Sequence, residues 1–245
     1  MSSQQVTKKP RRIIAESIPH HSDDPNIYEI GVDEVGRGPL FGRVYAAACV
    51  IPRNKPEFKY GLLKDSKRFT SEKKIGEVND HICTHALEYS IAYEESTVID
   101  SVNIRKATFK CMDRSIRSVF QKLVSSGVDP INIVVLVDGS DFRPFTYFDQ
   151  SKGIMCEVAH ECIVGGDNII GSISAASIIA KVARDTYIHE LCEQFPKLDE
   201  YYNLGKNKGY GTAAHINGIN QFGITKWHRK SYGSVASNPT CDVGI

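Results

Sequence analysis

Two apolar runs flank a polar, glycine-rich middle over residues 28–51. The first run contains Ile30 and Val32 and ends on adjacent carboxylates, Asp33 and Glu34. Gly36, Arg37, Gly38, Pro39 and Gly42 follow, and a second apolar run covers 44–51. The pattern predicts strand, tight turn, strand. Successive strand side chains point to opposite faces, so Asp33 and Glu34 do not both face water. A carboxylate withdrawn from water needs a cation, a proton or hydrogen-bond donors to offset its lost hydration.

Further along, Thr70 or Ser71 can cap a helix over about 72–85, with Ile75, Val78 and Ile82 at helical spacing. Residues 87–93 alternate as a third strand. A long amphipathic helix is expected over about 104–124, its stripe formed by Phe109, Met112, Ile116, Val119, Phe120 and Leu123. The nearly continuous apolar run at 131–137 predicts a central strand covered on both faces, leading into Asp138-Gly139. A polar stretch over 140–153 separates it from a fifth strand at about 154–164. Gly165-Gly166-Asp167 then opens the most helix-like segment, about 168–195. Beyond Pro196 the chain is aromatic, basic and glycine-rich, with one short helix at about 212–221. Early strands followed by alternating strands and helices predict an α/β fold, a mixed five-stranded sheet with helices on both sides and a helical C-terminal extension. The expected organisation is a flexible tail over 1–26, one domain over 27–235 whose sheet core runs to about 195, and a second tail over 236–245. Lys8, Lys9, Arg11 and Arg12 cluster in the first tail, which reads as solvated, with tethering of nucleic acid or nuclear import as the alternatives.

Composition narrows the possible chemistry. The 245 residues are 41% hydrophobic and 24% charged, ordinary for a soluble globular protein. Net charge is +1, so contact with nucleic acid requires a local basic patch. No segment approaches the roughly 20 apolar residues of a membrane span, and no signal-peptide core opens the chain. The expectation is an intracellular, cytoplasmic protein. Seven scattered cysteines form no C-x-x-C pair, which argues against a zinc site and a disulfide framework.

Four acids stand at strand ends or just beyond them: Asp33, Glu34, Asp138 and Asp167. Singly, Asp138-Gly139 reads as a turn and Asp167 as a helix N-cap. If the central strands are neighbours, all four gather in one place. Hard oxygen ligands of this kind suit Mg²⁺ or Mn²⁺ rather than zinc. With no Ser-His or Cys-His companion, the cluster points to phosphoryl chemistry, which two ions roughly 3.5–4 Å apart can support. Asp185 is a competing acid, expected to make a structural pair instead. Lys181 and Arg184 share a helix face; they either steer phosphates or pair with Asp185 or Glu190. His228-Arg229-Lys230-Ser231-Tyr232 offers a phosphate-facing patch or a cap packed by Tyr232.

The run D-E-V-G-R-G-P over 33–39 resembles the signature of the type 2 ribonucleases H, specifically ribonuclease HII. Similar motifs recur in family order: V-D-G at 137–139, G-D before A-A-S-I-I-A-K at 175–181, D-S-K at 65–67, K-G-Y-G-T at 208–212 and H-R-K-S-Y at 228–232. The resemblance covers about 27–235 and implies a ribonuclease H-like fold. It also implies cleavage of the RNA strand of RNA–DNA hybrids and nicking of DNA 5′ to embedded ribonucleotides, leaving 5′-phosphate and 3′-hydroxyl ends. It assigns Asp33, Glu34, Asp138 and Asp167 to a pair of Mg²⁺ or Mn²⁺ ions and Gly36, Arg37 and Gly38 to the 2′-hydroxyl. Ser66 and Lys67 would grip phosphate, and Tyr210 would read the junction after the ribonucleotide. Implied partners are nucleic acid and, as a candidate, a sliding clamp, and a monomer is expected. Departures from the family pattern are Gly165 in place of lysine, Asn207 in place of histidine, Arg43 in place of proline, Tyr45 in place of a smaller residue, and a longer 140–153 stretch.

Overall fold

The apolar runs become a mixed sheet in the computed structural model, which describes residues 20–233 and 235–241. β1 (Tyr28–Val35) and β2 (Val44–Val50) are antiparallel neighbours, as the glycine turn requires. α1 (Glu72–His85) is capped by the Ser71 hydroxyl and leads to β3 (Glu88–Glu94), antiparallel to β2. After α2 (Ser96–Val102) and α3 (Ile104–Ser125) the chain enters β4 (Ile133–Asp138), parallel to β1. β5 (Thr146–Asp149) and β6 (Ile154–Glu157) form a separate hairpin, and β7 (Ala159–Ile163) lies parallel to β4. The main sheet has the order β3-β2-β1-β4-β7. α4 (Gly171–Gln194), α5 (Lys197–Tyr202), α6 (Leu204–Asn207) and α7 (Ala213–Phe222) complete the fold.

Strand alternation sorts the core into two faces. Ile30, Val32, Val44, Ala46, Ala48 and Val50 pack with Cys111, Met112, Ile116 and Val119 of α3. Ala47 and Cys49 point the other way, toward Ala175, Ala176, Ile178 and Ile179 of α4 and Ile75, Val78 and Ile82 of α1. Small residues let α4 lie almost on the sheet. A Cβ at Gly31 would sit 2.1 Å from the Ser172 carbonyl carbon and 2.3 Å from the Ile173 nitrogen. No side chain fits there.

Several expectations are corrected. The strand expected at 154–164 is two strands that break at Val158, because β6 turns away to pair with β5 while β7 joins the main sheet. The long helix begins at Gly171 rather than near 168, and its N-cap, Ile170, makes no side-chain cap. Asp167 lies earlier, in the single 3-10 turn Gly166–Asn168, and is not the helix cap. α2 was not anticipated: it is short and rich in β-branched residues, and Asn103 (φ 75°) ends it while capping α3 through the Lys106 amide. Residues 20–26 are not a free tail. The Ser22 amide donates to Glu29 at 2.8 Å and Arg53 donates to the Ser22 carbonyl at 2.8 Å. Near the other end the Ile224 amide donates to the Pro239 carbonyl at 2.8 Å, so part of 236–245 is also held. The basic cluster at 8–12 lies outside the described residues.

The helix–sheet contact makes a prediction. Gly31→Ala forces α4 off the sheet and costs about 3 kcal/mol or more, at the upper end of overpacking. The melting temperature falls by roughly 6 °C or more in a chain of this size. Thermal unfolding followed by circular dichroism reads this directly; an unchanged melting temperature would contradict the close approach.

Candidate active site

Sheet topology brings the acids together. Val32 of β1 stands opposite Val137 of β4, so Asp33 and Asp138 occupy matching ends of adjacent parallel strands. Asp138 in turn pairs with Ile163 at the end of β7, and the chain then turns through Asp167. Asp33 points to the α4 face with Gly31, and Glu34 follows Ile30 and Val32 to the other face. Asp33 and Asp167 are buried, Glu34 and Asp138 partly so.

Each carboxylate has its own local restraint. Gly166 donates its amide to Asp138 Oδ1 at 2.7 Å, and the Asn168 amide group donates to Asp167 Oδ1 at 2.8 Å. Arg37 pairs with Glu34 at 3.0 Å, and Lys67 approaches Asp167 at 3.7 Å. Burial raises the pKa of Asp33 well above the usual carboxylate range, reinforced by the charges of Glu34 and Asp138 and opposed by the Ser177 hydroxyl. Burial also raises Glu34 and Asp167, with Asp138 adding to both and Arg37 and Lys67 opposing. Burial works against the Lys67 ammonium, but Asp167, Asp65, Asp33 and Asp138 outweigh it and raise its pKa. The arrangement is short of positive charge.

Among the described residues, no three His, Cys, Asp or Glu side chains are drawn tightly enough to share one ion. The restraints explain this, since Arg37 and Lys67 draw Glu34 and Asp167 to separate counter-charges. The donor set itself fits a divalent cation: hard oxygens, withdrawn from water, with elevated pKa values that a cation would reverse.

A cleft of about 410 Å³ opens over the acids, lined by Asp33, Glu34, Asp138, Lys67, Lys181 and Tyr210 among others. The Ser66 and Ser177 hydroxyls meet at 3.0 Å in its wall. The Gly36–Gly38 turn forms one lip; Gly36 has φ 92°, which favours glycine, and a Cβ there would also meet the Arg184 side chain at 2.9 Å. Gly38 faces Tyr210, with a Cβ position 3.6 Å from its ring. Tyr210 is 45% exposed, as a stacking platform must be.

Lys181 pairs with Asp185 at 2.6 Å, the structural role expected of that acid. Arg184 lies differently from a phosphate-steering residue. It is 2% exposed, donates to the Lys208 carbonyl and lies 5.3 Å from the centre of the Tyr210 ring. It supports the Tyr210 loop from beneath. Asn207 holds that loop as well, accepting from the Gly209 amide at 2.8 Å and donating to the Tyr202 carbonyl at 2.6 Å. Gly165 adopts φ 70°, a backbone that lysine would strain. Arg43 stacks on Tyr93 and Tyr187 and pairs with Glu95 at 2.7 Å, and Tyr45 packs on the same two rings. The two departures thus compensate each other.

Sequence reasoning left His215 without a role and gave His228, Arg229 and Tyr232 only a patch or a cap. All four are buried or half-buried, whereas Lys230 and Ser231 of the same run are exposed. Burial, with facing His215, pushes the His228 pKa down to about 3, so the ring is neutral at neutral pH. Polar types in a C-terminal segment carry no signal of burial, and only the K-G-Y-G-T and H-R-K-S-Y matches pointed to this region.

A family model described as "Ribonuclease HII" matches residues 30–235. A ribonuclease HII of Oceanobacillus iheyensis is 37% identical over 207 residues, covering 84% of this chain and 69% of that protein. One of Shewanella oneidensis is 39% identical over 205 residues, covering 84% and 87%. The ribonuclease H2 structure from Pyrococcus horikoshii superposes with a TM-score of 0.64 at 21% identity, covering 86% of this chain and 96% of the other. Bst-RNase HIII in complex with Mn²⁺ gives 0.60 at 15% identity, covering 96% and 74%. RNase HII in the PCNA complex from Archaeoglobus fulgidus gives 0.59 at 20%, covering 82% and 91%. These structures share the ribonuclease H-like fold. The acids at the ends of β1, β4 and β7, and a family match spanning nearly all of the described chain, lead to one conclusion: the chain belongs to the ribonuclease HII family and is a ribonuclease H, cleaving the RNA of RNA–DNA hybrids.

Proposed function

We propose that this ribonuclease is divalent-metal-dependent and also nicks duplex DNA 5′ to an embedded ribonucleotide, leaving 5′-phosphate and 3′-hydroxyl ends. One observation carries the reading: Asp33, Glu34, Asp138 and exposed Tyr210 line one cleft, with Asp167 beside its Lys67 and Gly38 against the Tyr210 ring. Asp33, Glu34, Asp138 and Asp167 would hold Mg²⁺ or Mn²⁺, which supplies activation of the attacking water and stabilisation of the leaving oxygen. Main-chain groups of Gly36, Arg37 and Gly38 face the sugar, where a 2′-hydroxyl distinguishes RNA from DNA. Tyr210 stacks on the next nucleotide. Lys67, 81% exposed at its side chain beside Asp167, meets the backbone phosphate, with Ser66 anchoring its loop. Lys181 lines the same cleft as a second cation. Arg184 positions the Tyr210 loop rather than a phosphate. A sliding clamp is a candidate partner by analogy with the Archaeoglobus fulgidus protein solved with PCNA.

Two measurements test this. A labelled duplex with one ribonucleotide, incubated with Mg²⁺, Mn²⁺ or chelator, is nicked once, on the 5′ side of the ribonucleotide and only with metal. Asp138→Asn slows the nick by at least about 100-fold, the scale on which one preorganised electrostatic contact acts. Cutting confined to long RNA stretches would contradict the single-ribonucleotide reading, and cutting of an all-DNA control would contradict the sugar reading.

The second measurement concerns stability. The folded-state pKa of Asp33 is raised above its unfolded value, mainly by burial. The native state therefore holds the proton more tightly, and the stability this lends is lost as pH rises through the folded-state value. At pH values above the unfolded-state value, in chelator, the buried carboxyl therefore costs stability. Asp33→Asn raises the melting temperature by roughly 3 °C, the shift that about 1 kcal/mol produces in a chain of this size. Added Mn²⁺ stabilises the parent and leaves the variant unmoved. A variant that melts lower in chelator, or that keeps the Mn²⁺ shift, would contradict the assignment.

A further inference from the structure

The residues of H-R-K-S-Y lie behind the cleft, and their contacts lead to both of its reading elements. Residues 227–229 pair with 40–42: the Gly42 amide donates to the Trp227 carbonyl at 2.9 Å and the Arg229 amide to the Leu40 carbonyl at 2.8 Å. Arg229 is fully buried. Its Nε donates to the Gly42 carbonyl at 2.9 Å. One terminal nitrogen donates to the Arg37 carbonyl and the Tyr232 hydroxyl, both at 3.1 Å. The other donates to the Gly36 carbonyl at 2.6 Å and the Arg43 carbonyl at 3.0 Å. All five guanidinium N–H groups are thereby used, four of them on the carbonyls of the Gly36–Arg37 turn and its return. The Tyr232 hydroxyl donates to the Arg37 carbonyl at 2.5 Å.

The preceding residue reaches the other element. His228 Nδ1 accepts from the Thr225 amide at 2.9 Å, so its proton is on Nε2. That nitrogen donates to His215 Nε2 at 3.1 Å, and His215 Nδ1 donates to the Tyr210 carbonyl at 3.0 Å. Each bond fixes the tautomer of the next ring, and the chain ends on the main chain of Tyr210. α2 anchors the segment from outside, since Asp100 accepts from the amides of Lys230 at 2.9 Å and Ser231 at 2.8 Å.

We propose that residues 228–232 are a positioning clip that sets the distance between the sugar-reading turn and the Tyr210 platform, Arg229 and Tyr232 acting on the turn and His228, through His215, on the platform. None of these residues touches substrate. The clip rests on the functional reading above, because it determines ribonucleotide selectivity only if these two elements read the ribonucleotide. Fixing a loop's carbonyls from behind fixes its amides in front, since both belong to the same planar peptide units. A turn free to shift by an ångström would lose the hydroxyl contact and keep the phosphate contacts.

The test is the affinity, by fluorescence anisotropy, for a duplex with one ribonucleotide against an all-DNA duplex of the same sequence. Asp138→Asn serves as the non-cutting parent in Mg²⁺. The ratio of the two dissociation constants is independent of the fraction of protein folded, so a purely structural role leaves it unchanged. Tyr232→Phe lowers the ratio about fivefold, the effect of one lost hydrogen bond, and Arg229→Lys lowers it at least as much. His228→Gln lowers it in the parent but not further in a Tyr210→Ala background, as expected for residues acting as one unit. If Arg229→Lys does not fold, Tyr232→Phe decides. A parent that discriminates while the Tyr232→Phe variant keeps its ratio would overturn the clip. A parent that binds both duplexes alike would overturn the functional reading, and the clip with it.

Discussion

Like charges gathered away from water repel, and this repulsion sets the terms for the rest of the molecule. Asp33 and Asp138 sit at matching ends of parallel neighbours, with Asp167 one turn beyond β7. Burial and mutual charge raise the pKa values of Asp33, Glu34 and Asp167 together. Such a cluster persists because the sheet beneath it is over-determined. Gly31 admits the α4 backbone directly onto β1, and apolar layers on both faces fix the strand register. The core supplies the rigidity that the acids do not supply themselves.

The same economy appears on the recognition side. The Gly36–Gly38 turn has φ 92° at its first glycine and lies beside the acids on a lip held from behind by a buried arginine. The Tyr210 loop is held by Arg184, Asn207 and the paired histidines. Buried guanidinium groups that donate to loop carbonyls hold the reading elements from behind and leave the exposed surface to the substrate. Arg184 and Arg229 are both held in this way, with burial lowering the pKa of each.

Much of this was legible in the sequence because the signals are periodic. The α1 and α3 stripes, the alternation of β3 and the continuous run of β4 appear where apolar spacing put them. The carboxylate positions were legible because Asp33-Glu34 and Asp138-Gly139 end apolar runs. Short or broken elements were not. Val158 divides one apolar alternation between two sheets, a tertiary decision that periodicity does not carry. The seven residues of α2, four of them β-branched, give no helical signal. Arg184 sits next to Asp185 in sequence, where a phosphate role and a structural one look alike, and only its burial separates them. The roles of His215, His228 and Arg229 depend on contacts with residues as distant in sequence as Gly36, which no local pattern reports.

The central claim is that four acids and one glycine turn form a single site for metal ions and a ribonucleotide. A crystal structure of the Asp138→Asn protein would alter that site, so the measurement belongs on the unaltered chain. It should be bound to Mn²⁺ and a duplex with a single ribonucleotide whose 5′ phosphate is a slowly cleaved phosphorothioate, with the ions located by anomalous scattering. The account predicts Mn²⁺ between Asp33, Glu34, Asp138 and Asp167, the 2′-hydroxyl against the Gly36–Gly38 main chain and Tyr210 stacked on the following nucleotide. Ions bound away from these carboxylates, or a ribonucleotide lying outside this cleft, would contradict it.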